Sequence, residues 1–135
     1  MTQSIEFNHA GIYVSDIDAS THFYRDLLGF EVVSTIKMPG DWPITYLRLG
    51  GGQIELLGRP NVVRPASPPD LGPGAGIRHI ALKTNDLDGV AQRLRDAGVT
   101  FKNEPRPAGS GIGRLFFVYD PDFNEVEIIQ RDVDW

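Results

Sequence analysis

HAGIYVSDIDAS, running from His9 to Ser20, and HIALKTNDLDGV, running from His79 to Val90, decide how this chain is built. At an offset of 70 residues, His9 falls on His79, Asp16 on Asp86, Asp18 on Asp88, Arg25 on Arg95 and Asp26 on Asp96. Further along, QIELLGR (53–59) falls on EVEIIQR (125–131) at an offset of 72. Two anchor points with nearly equal offsets make the chain two copies of one unit.

Working outward, each copy carries the same order of elements. Residues 6–14 are rich in strand formers, and Asp16 behind them is suited to cap a helix. In the first helix Ala19, Phe23 and Leu27 form an i, i+4 row beside Tyr24 and Leu28. In the second, Leu87, Val90, Ala91, Leu94 and Ala97 form an amphipathic stripe. Gly29 and Gly98 stand where a helix C-terminus turns left-handed. Three strands are expected after each helix: FEVVSTI, ITYLRL and QIELL in copy one, and VTFKN, RLFFVY and EVEIIQ in copy two. The expected fold class is α+β, one domain over 1–135 made of two tandem βαβββ modules. Module one spans 5–59 and module two 77–131, with curved mixed sheets around a central metal cavity. Residues 60–76 connect them, and 58–76 hold five of the ten prolines, which excludes a helix or inner strand there. The Gly-rich stretch 103–114 is expected to be a loop, open to a role as a mobile substrate loop, and lacks the GKS or GKT of a phosphate-binding loop.

Composition narrows the function. With 13 basic and 18 acidic residues the 135-residue chain carries a net charge of −5. No Lys/Arg run offers a footprint for nucleic acid or an anionic membrane. The absence of cysteine excludes disulfides, thiolate zinc sites and a cysteine nucleophile. No apolar run reaches the ~18–20 residues of a membrane span, and MTQSIEFNHAG has no signal-peptide pattern. A cytoplasmic protein is expected.

Strand alternation sets four residues apart. Ala10, Ile12 and Val14 share the face beneath the helix, whereas His9 points the other way with Gly11 and Tyr13. Ile80 and Leu82 likewise oppose His79 and Ala81. Glu55 stands between Ile54 and Leu56, and Glu127 between Val126 and Ile128. A carboxylate within an apolar strand is costly to bury unless it is paired or binds a cation. Taken singly, each glutamate reads as solvated or ion-paired and each histidine as hydrogen-bonded core. In register across a repeat, His9, Glu55, His79 and Glu127 together read as a site for one divalent metal: Ni, Zn, Co, Mn or Fe. His22, whose counterpart is Gln92, reads as surface. Tyr13, Tyr46, Arg48, Arg114 and Phe116 are candidates to line a substrate pocket, the two arginines more readily as edge or salt-bridge residues.

NHAGIYVSDID with THFYRDLLGFEVV, IRHIALKTNDLD with RLRDAGV, and DPDFNEVEII resemble the vicinal oxygen chelate superfamily of glyoxalases, bleomycin-resistance proteins and dioxygenases. The resemblance runs from residue 6 to about 131, and by position it carries the metal ligands onto His9, Glu55, His79 and Glu127. The full His-Glu-His-Glu set is most similar to glyoxalase I. It implies a metal-dependent lyase or isomerase that shifts a proton alpha to a carbonyl through a metal-bound enediolate, with a small-molecule substrate and a homodimer. Glu127 or Glu55 would be the base, with Glu127 preferred. An epimerase like that for methylmalonyl-CoA, an extradiol-type dioxygenase and a metal-free small-molecule binding protein are the alternatives. No basic residues unambiguously match those that hold glutathione. Phe123 replaces the glycine usual in the DPDGN turn, so Asn124 is expected to take the left-handed position.

Overall fold

The computed structural model describes residues 3–135. It divides into two compact units, the first ending at Arg64 and the second spanning Pro65–Trp135. The division falls inside the expected Pro-rich connection.

In the first unit, strand β1 (Ala10–Tyr13) leads to helix α1 (Ile17–Thr21), which continues as a π-helical segment, His22–Leu27. Strands β2 (Glu31–Met38), β3 (Trp42–Leu49) and β4 (Gly52–Leu57) complete a sheet of order β1-β4-β3-β2, with β1 parallel to β4. The second unit repeats this plan with β5 (His79–Lys83), α2 (Leu87–Asp96), β6 (Arg106–Pro107), β7 (Arg114–Tyr119) and β8 (Glu125–Gln130) in the order β5-β8-β7-β6. Both units are therefore βαβββ, and the fold is α+β with two mixed four-stranded sheets. Asp16 caps α1 by accepting from Asp18 N and Ala19 N, and Asp86 caps α2 by accepting from Gly89 N. Gly29 and Gly98 both adopt positive φ behind their helices, as expected.

Each core lies between helix and sheet. Phe23, Tyr24 and Leu28 are buried with Leu47, Ile54 and Leu56, and Leu87, Ala91 and Leu94 with Phe116, Val118, Val126 and Ile128. The π-helical turn adds one residue per hydrogen-bonded ring, so Leu28 N bonds Phe23 O. Phe23 and Tyr24 both end up buried, in edge-to-face contact with ring centroids 4.9 Å apart.

Three sequence expectations change. β1 begins at Ala10 rather than at residue 6, so His9 sits just ahead of the strand. VTFKN does not form a strand: Phe101 makes a single bridge to Val118. Asn103 explains the stop, because its side-chain oxygen accepts from Phe117 N, the donor a neighbouring strand would use. The pairing passes instead to β6, inside the stretch expected to be a loop, where Ala108 N bonds Gly113 O in a tight hairpin. Lastly, Phe123 itself takes the left-handed conformation (φ 66°), and Asn124 does not. Asp120 compensates, its carboxylate accepting from Asp122 N, Asn124 N and Asn124 Nδ2 at 2.9–3.0 Å.

Candidate functional site

Strand register builds the same arrangement twice. In the first unit Gly11 lies beside Glu55 on the parallel neighbour, and Tyr46 lies beside Glu55 on the antiparallel one. In the second unit Ala81 and Phe117 flank Glu127 in the same manner. A histidine two residues before Gly11 or Ala81 shares the glutamate's face. His9 Nε2 accordingly lies 3.3 Å from Glu55 Oε1, and His79 Nε2 lies 2.8 Å from Glu127 Oε2. Both imidazoles are reachable from solvent, with side-chain exposures of 31% and 37%, while the carboxylates are sunk to 16% and 10%.

The donor set fits a divalent cation. Two donors ~2.1 Å from one metal at angles between square and tetrahedral stand about 3.0–3.4 Å apart, close to the two His–Glu separations. His9 Nδ1 lies 2.6 Å from Asn8 Oδ1, which as an amide oxygen must accept, so the proton sits on Nδ1. The Nε2 lone pair then faces a carboxylate oxygen, and two acceptors are held together only by a proton or a cation between them. Ligating histidines in metal sites donate their other ring N–H to an outer acceptor that fixes the tautomer, and the Asn8 oxygen stands in that place. Among the described residues, no three His, Asp or Glu side chains gather within one unit. Each unit by itself thus offers a pair of donors, one nitrogen and one oxygen.

The aromatic neighbours differ. Tyr46 stands edge-on to His9 with ring centroids 5.8 Å apart and lies beside Glu55 in the register, and the neighbouring carboxylate raises the phenol above its ordinary pKa. Phe117 stands edge-on to His79 at 5.2 Å and has no hydroxyl to give.

The other sequence candidates separate cleanly. Tyr13 is exposed, and its hydroxyl accepts from Arg59 Nη1 at 3.1 Å. Arg114 forms a two-pronged ion pair with Asp88, both contacts 3.0 Å, which raises its own pKa and lowers that of Asp88. Arg48 is exposed and lies opposite Glu31 in the register. Phe116 is fully buried and stacked on Phe101, so it belongs to the core and not to a pocket. His22 is exposed and pairs with Asp26, matching its surface assignment. An open cleft of about 500 Å³ in the second unit is lined by Lys83, Thr84, Asn85, Gln130 and Arg131. None of His9, Glu55, His79 and Glu127 lines it, and no motif in the sequence marks it. Asn8 joins the site without a motif of its own, and a carboxamide directly before a candidate ligand histidine is the signal that marks it.

Two tandem βαβββ units of this strand order define a recognisable class of fold. The profile of the glyoxalase/bleomycin resistance protein/dioxygenase superfamily matches residues 6–128, and the chain belongs to that superfamily. Within it, the chain is 33% identical over 127 residues to a probable lactoylglutathione lyase of Synechocystis, covering 90% of this chain and 92% of the relative. It is 31% identical to an ethylmalonyl-CoA/methylmalonyl-CoA epimerase of Cereibacter sphaeroides, covering 87% and 90%. The trypanothione-dependent glyoxalase I of Leishmania major superposes with a TM-score of 0.74 at 27% identity, covering 94% of this chain and 87% of that one. Among the described residues no helix is long and apolar enough to cross a membrane.

Proposed function

We propose that this protein is a divalent-metal-dependent lyase or isomerase of the glyoxalase type, moving a proton on the carbon next to a carbonyl of a small oxo compound or its thiol adduct. The single observation carrying this is the repeated His–Glu pair, His9 with Glu55 and His79 with Glu127. These four residues would hold one Ni, Zn, Co, Mn or Fe ion, and a homodimer is the assembly that the family resemblance favours. When bound, the ion supplies Lewis-acid stabilisation of negative charge on substrate oxygens.

The chain's own groups handle the proton. Glu127 would take it from the α-carbon, the C–H electron pair moving into the carbon–carbon bond as charge shifts to the carbonyl oxygen. The same carboxylate would return the proton to the neighbouring carbon, so the net change is an isomerisation with no redox partner. Returning it to the original carbon from the other side would be an epimerisation. The epimerase relative at 31% identity supports that second outcome on the same machinery.

The test begins with elemental analysis of untagged, dialysed protein. About one transition metal per site, lost in His79→Ala, supports the proposal, and no binding of any of these ions refutes it in favour of a metal-free binding protein. Loaded protein is then assayed on the methylglyoxal–glutathione hemithioacetal and on methylmalonyl-CoA. Glu127→Gln should lower the turnover by roughly 10²–10⁴-fold.

A further inference from the structure

The cleft of about 500 Å³ in the second unit has a lining of one chemical kind. It lies at the C-terminal ends of the parallel neighbours β5 and β8, between Lys83, Thr84, Asn85, Gln130 and Arg131. Two of these are cations, three carry neutral N–H or O–H donors and none is acidic, on a chain whose net charge is −5. Two of the neutral side chains are oriented through their acceptor atoms. Gln130 Oε1 takes the Leu87 N–H at 2.9 Å, which leaves its amino group for the cleft, and Thr84 Oγ takes the Asp86 N–H at 3.1 Å, which leaves its own proton to give. The carboxylates next in sequence are engaged elsewhere: Asp86 caps α2 through Gly89 N, and Asp88 is held by Arg114. Both cations already hold oxygens. Lys83 Nζ donates to Val133 O at 2.6 Å and Arg131 Nη1 to Trp135 O at 2.7 Å, with the guanidinium 5.1 Å from the centre of the Trp135 ring. A carbonyl brings only a partial charge to such a donor, so an oxygen with full anionic charge competes with it.

We propose that this cleft binds the phosphate group of a small phosphomonoester, which displaces the carbonyls of residues 133 and 135 from Lys83 and Arg131. Charge and valence select the group. A phosphomonoester carries about −1.5 to −2 and three strong acceptor oxygens, against two cations and three neutral donor side chains. A carboxylate brings a single charge and two oxygens, and leaves one cation without a matching charge. The volume leaves space for the organic part of the molecule, since small-molecule sites span roughly 300–1,000 Å³. The anchor is not the start of α2, whose Leu87 and Gly89 N–H groups are already taken by Gln130 and Asp86. Lys83 stands four residues past His79 on β5, about 13 Å along the strand, so this site goes beyond the proposed function and does not rest on it.

The experiment follows the amide and side-chain NH₂ resonances of the ¹⁵N-labelled protein during titration with glycerol phosphate, inorganic phosphate and acetate. Ionic strength is held constant so that general screening does not move the signals. Glycerol phosphate should saturably shift Thr84, Asn85 and the Gln130 NH₂ group, and inorganic phosphate should compete for the same resonances. Acetate should bind at least about tenfold more weakly, the effect of one lost hydrogen bond to a charged group. Lys83→Gln and Arg131→Gln should each weaken glycerol phosphate binding by roughly tenfold or more for the same reason. Trp135→Ala removes the ring that holds the tail against Arg131, and should tighten binding about two- to fivefold by weakening the internal competitor. No saturable shift at the cleft, acetate binding as tightly as glycerol phosphate, or a Trp135→Ala protein that binds more weakly overturns the proposal. Inorganic phosphate binding where glycerol phosphate does not overturns the assignment to a monoester. If a glutamine variant does not fold, the wild-type anion series and Trp135→Ala decide. None of these variants touches a His–Glu pair, so Ni²⁺ affinity should stay as in wild type, and failure here leaves the proposed function standing.

Discussion

Replacing Asp120 by alanine removes the acceptor that shapes the turn feeding β8, the strand that carries Glu127. Its carboxylate accepts from Asp122 N and Asn124 N at 2.9 Å and from Asn124 Nδ2 at 3.0 Å, while the residue is only 3% exposed. Hydrogen bonds to a charged group contribute about 1.5–3 kcal/mol each. The three are not independent, and Asn124 is exposed, so its two donors recover water when the carboxylate is lost. Asp122 is buried, and its N–H would be stranded at a cost of about 1–3 kcal/mol. The Phe123 left-handed strain, about 1–2 kcal/mol, would lose its principal restraint as well. The expected loss is roughly 2–4 kcal/mol, and at about 3–4 °C per kcal/mol for a chain of this size the melting temperature should fall by about 6–16 °C. Asp120→Asn keeps an oxygen for the two backbone donors, and the Asn124 amide can turn to present its own oxygen, so that variant should lose only about 1 kcal/mol. Urea and thermal unfolding followed by circular dichroism measure both. Ni²⁺ affinity should drop alongside stability in the alanine variant, because the turn sets where β8 begins. An alanine variant melting within about 2 °C of wild type, or an asparagine variant as damaged as the alanine one, would refute this account of the turn.

Other perturbations test separate parts of the molecule. Asp88 has its pKa lowered in the folded state by the hydrogen bond from Arg114. The pair's stabilisation is complete above the unfolded aspartate value of ~3.9 and is lost as pH falls through the lower folded value; Asp88→Asn should flatten that part of the acid limb in unfolding curves taken from pH 5 to pH 2. Gly113 has φ 77°, and a Cβ there would overlap the Gln130 carbonyl. Gly113→Ala should therefore cost at least about 1–3 kcal/mol in urea titrations, since backbone and not a flexible side chain stands in the way. Asn8→Ala removes the acceptor that fixes the His9 tautomer, and Ni²⁺ affinity by chelator competition should weaken by roughly tenfold with the melting temperature unchanged.

Much of the molecule was legible from residue order alone. The repeat at offsets of 70 and 72, the aspartate caps and the glycine stops fix two βαβββ units, because capping, left-handed termination and strand alternation are local properties. Alternation also put each histidine on the same face as a glutamate, and both pairs are in contact in the folded units. What failed depended on partners distant in sequence. VTFKN has strand composition, yet Asn103 takes the donor of Phe117 that a strand would have needed. Phe123 sits in a conformation its side chain disfavours because Asp120 and the Asn124 side chain hold the turn from outside. Phe116 and Phe117 are adjacent and chemically identical, but strand phase sends one into the core against Phe101 and the other across His79. Above all, the repeat places Glu55 and Glu127 alike, and the cross-strand register sets Tyr46 against one and Phe117 against the other. Periodicity is written in the chain, whereas which side chains meet across a sheet is decided by register, and register is a property of the folded whole.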